Sequence, residues 1–318
     1  MELEKQLQIV LITYNRKAEL ERTLRTLLAD DSPIKNCDIT VLDNRSTDGT
    51  DQIIQNFAQT HPNLHNRCNK YNVGLGGNLI KAMELADKKY LWILCDDDFF
   101  DWTNWAEIEQ AINDEYDLIM TSWAEKKQNP SVPYILNNLG FVPSGIYHTK
   151  HITDLTMQNA YAMAYNLFPF QAMGIKIVNE KGRIFMPHRK IVIQSEAPKS
   201  HKVKKLRPGL FFHWNKFNLL WGYVDSYNLI EDKKLRQACC DELVLDKSFL
   251  YSMRNFLSSQ PFCWHHFWDI FCTVSFKQKI ILLWALLCPI YFYRTDRGIN
   301  IKFFFLKTKV FPLPEQKQ

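Results

Sequence analysis

The chain has eight cysteines but no CxxC pair, and Cys239 and Cys240 stand side by side. The ligand spacing of the common zinc sites is therefore missing, and buried reduced thiols are the expectation. No GxGxxG fingerprint occurs, and no glycine-rich loop ends in the Lys-Ser/Thr of a P-loop, so two common nucleotide signatures are lacking. Long apolar runs are missing as well. The longest late one, Ile280 to Tyr293, covers 14 residues and contains Pro289, short of the ~20 that a spanning helix needs. The opening Met-Glu-Leu-Glu-Lys is charged and leads straight into an apolar stretch, unlike a signal peptide. The sequence shows no internal repeat, low-complexity tract or coiled-coil stretch. What remains is a globular chain of 318 residues, enough for one large domain or two smaller ones.

Charge is unevenly placed. The formal net charge is +5, yet residues 1–180 carry 16 Lys and Arg against 24 Asp and Glu, and residues 181–318 carry 23 against 10. A basic C-terminal part suits an anionic partner such as phosphate groups, an anionic membrane surface or nucleic acid. A solvated surface is the plain alternative.

The first third alternates strand and helix patterns. Apolar runs predict strands at Leu7–Tyr14, Asp38–Asn44, Leu64–Asn69 and Tyr90–Cys95. Between them lie helical patterns at Lys17–Leu28, from the turn Ser46–Thr50 through Phe57, and at Leu79–Ala86 behind the glycine-rich loop Asn72–Asn78. A helix at Trp105–Ile112 and a strand at Asp117–Ser122 follow. This rhythm argues for an α/β fold with a parallel, Rossmann-like sheet and helices on both faces. Beyond residue 124 the pattern loosens. Asn129–Pro133 reads as a loop, Gly140–Tyr147 as a strand returning to the sheet, and Ala160–Val178 as a helix interrupted by Pro169. Arg183–Met186 and Ile191–Gln194 read as short strands. After Pro198 the composition turns to Lys, Arg, Trp and Phe, which divides the chain into 1–200 and a mainly helical, basic region 201–318.

Asp96, Asp97 and Asp98 end the buried-strand run Tyr90–Cys95. Adjacent carboxylates repel and resist desolvation, and a divalent cation with a phosphate group would offset that cost. Alone, the triplet could be a solvated acidic turn. It has company: Thr13-Tyr14-Asn15-Arg16 ends the first strand, Asp43-Asn44 the second, and Asn72–Asn78 follows the third. Parallel strands share one carboxyl edge, where open α/β sheets bind ligands, so all four stations should line one crevice. A strand-end carboxylate can accept from ribose or base, a helix-opening glycine loop offers amides to an anion, and Arg16 can donate to phosphate. Singly, each is also an ordinary turn; their joint order favours a nucleotide site.

The segments VLITYNR (Val10–Arg16), VLDNRSTDGT (Val41–Thr50), NVGLGGN (Asn72–Asn78) and YLWILCDDDF (Tyr90–Phe99) resemble the nucleotide-binding half of glycosyltransferase family two. Those are inverting enzymes with the A-type fold, and the tryptophan strand running into three aspartates is similar to a bacterial lipopolysaccharide or capsule subgroup. The resemblance covers roughly residues 7–125. It implies that Thr13, Tyr14, Asn15 and Arg16 flank the nucleotide, that Asp43 contacts its base or ribose, and that Asn72 stands near the diphosphate, as does the loop at Gly76. Asp98 would bind Mg²⁺ or Mn²⁺ bridging the diphosphate oxygens, and Asp96 or Asp97 would contact ribose or sugar, the register of the family's DXD motif being ambiguous here.

The resemblance departs at the base. Family members place a Glu-Asp pair ahead of a helix, about 12 residues before a strand matched here by Gly182–Pro187, but Leu167–Ala172 holds no carboxylate. Gln171 is the polar residue nearest that slot, and an amide is no base; Asp154 and Glu180 are the nearest acids. Glu231-Asp232 reads as a solvated face. In the C-terminal part, Ile280–Tyr293 and Lys302–Phe311 are apolar runs bracketed by cations. They either lie on an anionic membrane or pack on the core beside a basic tail. The clusters His201–Arg207, His213-Trp214 and His265-His266 suit a diphosphate, a sugar or ordinary packing. The expected function is sugar transfer from a nucleotide-sugar donor to a glycan or lipid-linked acceptor, at the inner face of the cytoplasmic membrane, with no nucleic acid partner. Competing readings are a sugar nucleotidyltransferase, a nucleic-acid-binding protein and a non-catalytic binding protein with a transferase-like fold.

Overall fold

The computed structural model describes residues 2–124, 127–195, 216–244, 264–287, 291–295, 298–302 and 310–311, with side chains described within 2–124, 127–195, 221–243 and 267–283. The clusters His201–Arg207 and His213-Trp214, and the side chains of His265-His266, lie outside them.

Four strands form the parallel half of the sheet: β1 (Leu7–Thr13), β2 (Asp38–Asp43), β3 (Leu64–Cys68) and β4 (Tyr90–Cys95). Every residue of β1 is buried, as a central parallel strand covered on both faces requires. Its side chains alternate: Leu7, Ile9 and Leu11 enter one core, while Val10 and Ile12 enter the other. The first core is closed by helices α1 (Lys17–Leu27), α2 (Thr50–Ala58) and α4 (Trp105–Asn113); the second lies under α3 (Gly74–Glu84), α5 (Val132–Asn138), α6 (Asp154–Ala162) and α7 (Gln171–Asn179).

After the short β5 (Phe99–Phe100), the sheet continues with β6 (Leu118–Met120), β7 (Gly145–His148) and β8 (Ile184–Phe185), in the order β3-β2-β1-β4-β7-β6-β8. Strand β7 returns to the sheet as expected, but it runs antiparallel to both β4 and β6, so the sheet is mixed. Strand β9 (Val192–Ile193) pairs with β5 apart from the main sheet.

Three local expectations change. Helix α3 begins at Gly74, not Leu79, because the glycine-rich segment winds into its first turn. The expected loop Asn129–Pro133 ends early, because a helix begins at Val132: Ser131 caps Tyr134 N–H and Pro133 sits in the first turn, where its missing N–H is tolerated. Not every thiol is buried, since Cys68 and Cys272 are exposed.

The C-terminal part contributes α8 (Lys216–Ser226), α9 (Lys233–Val244), α10 (Trp264–Thr273) and α11 (Phe276–Leu287). Trp221, Val224, Tyr227, Cys239, Cys240 and Phe267 join the second core, so these helices pack on the sheet layer. Asp232 accepts from Lys234 N–H at 2.8 Å and serves as a helix cap. An antiparallel sheet of β10 (Tyr291–Thr295), β11 (Gly298–Lys302) and β12 (Val310–Phe311) was not expected. The run Ile280–Tyr293 is thereby split, with helix up to Leu287 and strand from Tyr291. Pro289 cannot continue a helix, and Tyr-Phe-Tyr favours a strand. Among the described residues no helix is long and apolar enough to cross a membrane.

Candidate nucleotide-sugar site

The carboxyl ends of β1, β2 and β4 lie side by side, with Thr13 opposite Asp43 and Ile12 opposite Cys95. The first and last stations are joined there. Thr13 Oγ1 donates to Asp96 Oδ2 at 2.6 Å, and Arg16 reaches Asp96 Oδ1 at 3.1 Å and Asp97 Oδ2 at 2.6 Å. From α1, Thr23 Oγ1 donates to the Asp96 carbonyl at 2.8 Å, and Arg22 donates to that of Asp97 at 2.5 Å while stacking on Phe99. Burial opposes the Arg16 charge, but Asp96 and Asp97 outweigh it and raise its pKa. Asp96 is 2 % exposed, and burial pushes its carboxyl up to about 7 despite Arg16 and Thr13. Arg16 and Asp96 are thus a clamp that holds the triplet to β1.

Asp98 points elsewhere. Its Oδ1 accepts from Ser195 N–H at 3.3 Å, next to β9, while Oδ2 is buried without a hydrogen-bond partner among the described residues. Burial, then repulsion from Asp97, pushes this carboxyl up to about 7. A buried, unpartnered carboxylate oxygen suits a hard cation. No three His, Cys, Asp or Glu among the described residues converge to enclose one, so a cation here would need further oxygens from a ligand.

The second and third stations are tied by short polar side chains. Asp43 is buried and accepts from Ser46 N–H at 3.0 Å and from Ser46 Oγ at 2.5 Å, with Cys68 Sγ at 3.6 Å. Asn15 holds φ +52°, donates its N–H to Ser46 Oγ at 2.8 Å, and accepts from Thr47 N–H at 2.7 Å. Left-handed backbone suits asparagine and pins the two strand-end loops together. Asn72 Oδ1 accepts from Gly74 N–H at 2.9 Å and from Asn44 Nδ2 at 3.0 Å. Asn69 and Asn78 continue this amide chain under the loop, at 2.7 Å from each other. At Gly76 a Cβ would lie 2.1 Å from the Ala164 carbonyl oxygen, so glycine is required where the chain leaving α6 crosses the first turn of α3. Tyr14 is exposed at the rim.

Thr13, Arg16, Asp96 and Asp97 therefore form one cluster, Asn15 and Asp43 a second with Ser46, and Asn72 and Gly76 a third. Asp154 does not join them. It opens α6 near His151, which bonds Asp117 and Glu180 at the opposite, amino edge of the sheet. Gln171 is buried at the start of α7, its Oε1 accepting from Ser226 Oγ at 3.0 Å. Asn44 and Asn78 stand inside stations named from the sequence, without a role of their own there, whereas Ser46, Asn69 and Thr23 were not named as site residues. Ser46 and Asn69 lie within three residues of named stations, and that adjacency was the available signal; Thr23 lies mid-helix and had none.

A family model described as glycosyl transferase family 2 matches residues 8–183, more than half of the chain. The abequosyltransferase RfbV of Salmonella typhimurium is 29% identical over 110 residues, 34% of this chain and 33% of that protein. The match thus spans about a third of the length of this curated relative. Among solved structures, S. aureus TarS 1–349 superposes with a TM-score of 0.58 at 16% identity, covering 94% of this chain and 96% of that one. The mannosyltransferase PcManGT from Pyrobaculum calidifontis, solved with GDP-Man and Mn²⁺, gives 0.52 at 13% identity, covering 88% and 84%. At such identities the superpositions speak for the fold, and the family match speaks for descent: the chain belongs to glycosyl transferase family 2.

Proposed function

We propose that the chain is an inverting transferase that moves a sugar from a nucleotide-sugar donor to a bacterial cell-surface glycan, such as lipopolysaccharide or capsule, or to its lipid-linked precursor. One observation carries the reading: a buried carboxylate with an unpartnered oxygen, Asp98, on the sheet edge that also holds the Thr13–Arg16, Asp43 and Asn72 stations. Tyr14, Asn15 and Asp43 with Ser46 border base and ribose. Asn72 and the first-turn amides of α3 around Gly76 face the diphosphate. Arg16 exchanges part of its carboxylate contact for phosphate, and Asp96 or Asp97 contacts ribose or sugar. Asp98 would hold Mg²⁺ or Mn²⁺, whose charge offsets the negative charge developing on the leaving diphosphate. An acceptor hydroxyl attacks the anomeric carbon from the opposite face and gives its proton to a base, so configuration inverts. The same fold carries UDP-GlcNAc in S. aureus TarS and GDP-Man with Mn²⁺ in PcManGT, which supports a nucleotide-sugar donor.

Residues 1–200 carry the donor-binding chemistry, and the C-terminal part, whose described helices cover the core, meets the cytoplasmic face of an anionic membrane. Phe276 and Ile280 are 78% and 52% exposed, one turn apart on α11, with Leu283 completing the stripe and Lys277 and Lys279 beside it. Apolar faces flanked by lysines suit anionic lipid.

Thermal-shift binding of UDP, GDP, CDP and dTDP, with and without Mn²⁺, tests the donor site, since a ligand of the folded state raises stability by mass action. One nucleotide that shifts melting only with metal, and not in Asp98→Ala, is the expected result. No shift with any nucleotide refutes the reading. Co-sedimentation with phosphatidylglycerol vesicles, lost in a Phe276→Ser/Ile280→Ser variant, tests the membrane face.

A further inference from the structure

Attack by a hydroxyl needs a base at the crevice, and the stations described so far offer none. Asp96 and Asp97 are held by Arg16, Asp43 is bound by Ser46, and Asp98 lies on the diphosphate side of the proposed reading. Asp154 and Glu180 are at the amino edge. The segment Tyr165–Gln171, where an acid is missing from the sequence, does lie on the carboxyl edge. Ala164 touches the first turn of α3 at Gly76, and α7 runs from Gln171 on this edge to Glu180 on the other.

A carboxylate is delivered to that segment from a distant part of the chain. Helix α8 lies directly against it: a Cβ at Gly222 would meet the Asn166 carbonyl oxygen at 2.7 Å, and Ser226 bonds Gln171. On the same face, one turn after Gly222, Asp225 accepts from Tyr165 Oη and from Asn166 Nδ2, each at 2.8 Å. Both bonds fall on Oδ2, so Oδ1 keeps its lone pairs free of protein donors among the described residues. Asn166 is fully buried and also accepts from Phe168 N–H at 2.9 Å, while Leu167 between them is held at φ +70°. A bulky residue in left-handed backbone is strained, and such strain persists where the surroundings over-determine it, commonly at functional sites. Tyr165, 55% exposed, stands 5.7 Å from the Trp221 ring, so an aromatic surface adjoins the carboxylate. Aromatic faces with a few placed polar groups are the usual lining of a ligand site.

We propose that Asp225 is the base that accepts the proton of the attacking hydroxyl, a role filled from α8 because residues 167–172 hold no acid. This rests on the transferase reading. In the step, the acceptor oxygen bonds the anomeric carbon as the bond from that carbon to the diphosphate oxygen breaks. The electron pair leaves with the nucleoside diphosphate, and the hydroxyl proton passes to Asp225 Oδ1. Tyr165 and Asn166 orient the carboxylate through Oδ2.

The test uses the full chain and Asp225→Asn, with UDP-glucose, UDP-N-acetylglucosamine, GDP-mannose and dTDP-rhamnose as donors and water as acceptor. Melting shifts report donor binding, and release of nucleoside diphosphate reports the reaction. The expected result is an unchanged shift with release at least 100-fold slower, a loss typical of a missing general base, and recovery of release by added formate in Asp225→Ala. Release within threefold of the parent protein overturns the proposal. So does loss of the melting shift in Asp225→Asn, which would make Asp225 a brace for the Tyr165–Phe168 turn, and so does a parent protein that binds a donor without releasing product. A parent protein that binds no donor refutes the transferase reading itself.

Discussion

Replacing Asp98 by asparagine should stabilise the metal-free protein at alkaline pH. Asp98 is 3% exposed, and burial with Asp97 beside it raises its carboxyl from 3.8 to about 7. A group whose folded pKa lies above its unfolded value binds its proton more tightly when folded. Its contribution is therefore full below pH 3.8 and is lost as pH rises through 7. At about 1.4 kcal/mol per tenfold, an ionised Asp98 at pH 8 costs roughly 4 kcal/mol relative to a neutral isostere. The amide oxygen of asparagine still accepts from Ser195 N–H, so the local geometry survives. At about 2 °C per kcal/mol for a chain of this length, Asp98→Asn should melt roughly 8 °C higher at pH 8, with the gain vanishing near pH 4. Differential scanning calorimetry in EDTA across pH 4–8 reads this directly. With Mn²⁺ and nucleotide the order should reverse, because only the parent protein is stabilised. A variant that melts lower at pH 8, or a gain that does not shrink with falling pH, refutes the view of Asp98 as a strained, cation-seeking carboxylate.

Arg16→Met leaves Asp96 buried beside Asp97 without its cationic partner, which should cost about 3–5 kcal/mol at pH 8. The loss should be smaller at pH 5, where Asp96 takes up a proton; urea titrations at both pH values check the difference. Gly76→Ala drives a methyl group into the Ala164 carbonyl, and overpacking of this kind should cost about 1–3 kcal/mol in the same assay. On the amino edge burial opposes ionisation of Asp117, but Lys150, His151 and Arg183 N–H hold its carboxyl down at about 2. That contribution is present above 3.8 and lost as pH falls toward 2, so His151→Ala should move the midpoint of acid unfolding, followed by circular dichroism, to higher pH.

The parallel half of the fold was legible because its evidence is local. A strand covered on both faces is apolar along most of its length, so LQIVLIT, DITVLD and YLWILC announce themselves, and their shared direction places Thr13, Asp43 and Asp96 on one edge. The start of α3 was not legible: glycine is a poor helix former, and only the crossing of Ala164 explains Gly76 within a helical turn. Helix α5 hid behind Pro130 and Pro133 because its capping serine sits between two turn formers.

Composition and motif order thus determined the fold class, the family and the edge of the sheet on which the strand-end stations gather, since these depend on period and spacing along the chain. Tertiary structure decided what each carboxylate on that edge is free to do. Asp96 and Asp98 are two residues apart and alike in sequence, yet one is clamped by Thr13 and Arg16 and the other keeps an oxygen without a partner among the described residues. Only packing decided that Asp225 meets Tyr165 and Asn166 from 60 and 59 residues away. Burial and hydrogen bonding arise between segments distant in sequence, and no local pattern records which of them will meet.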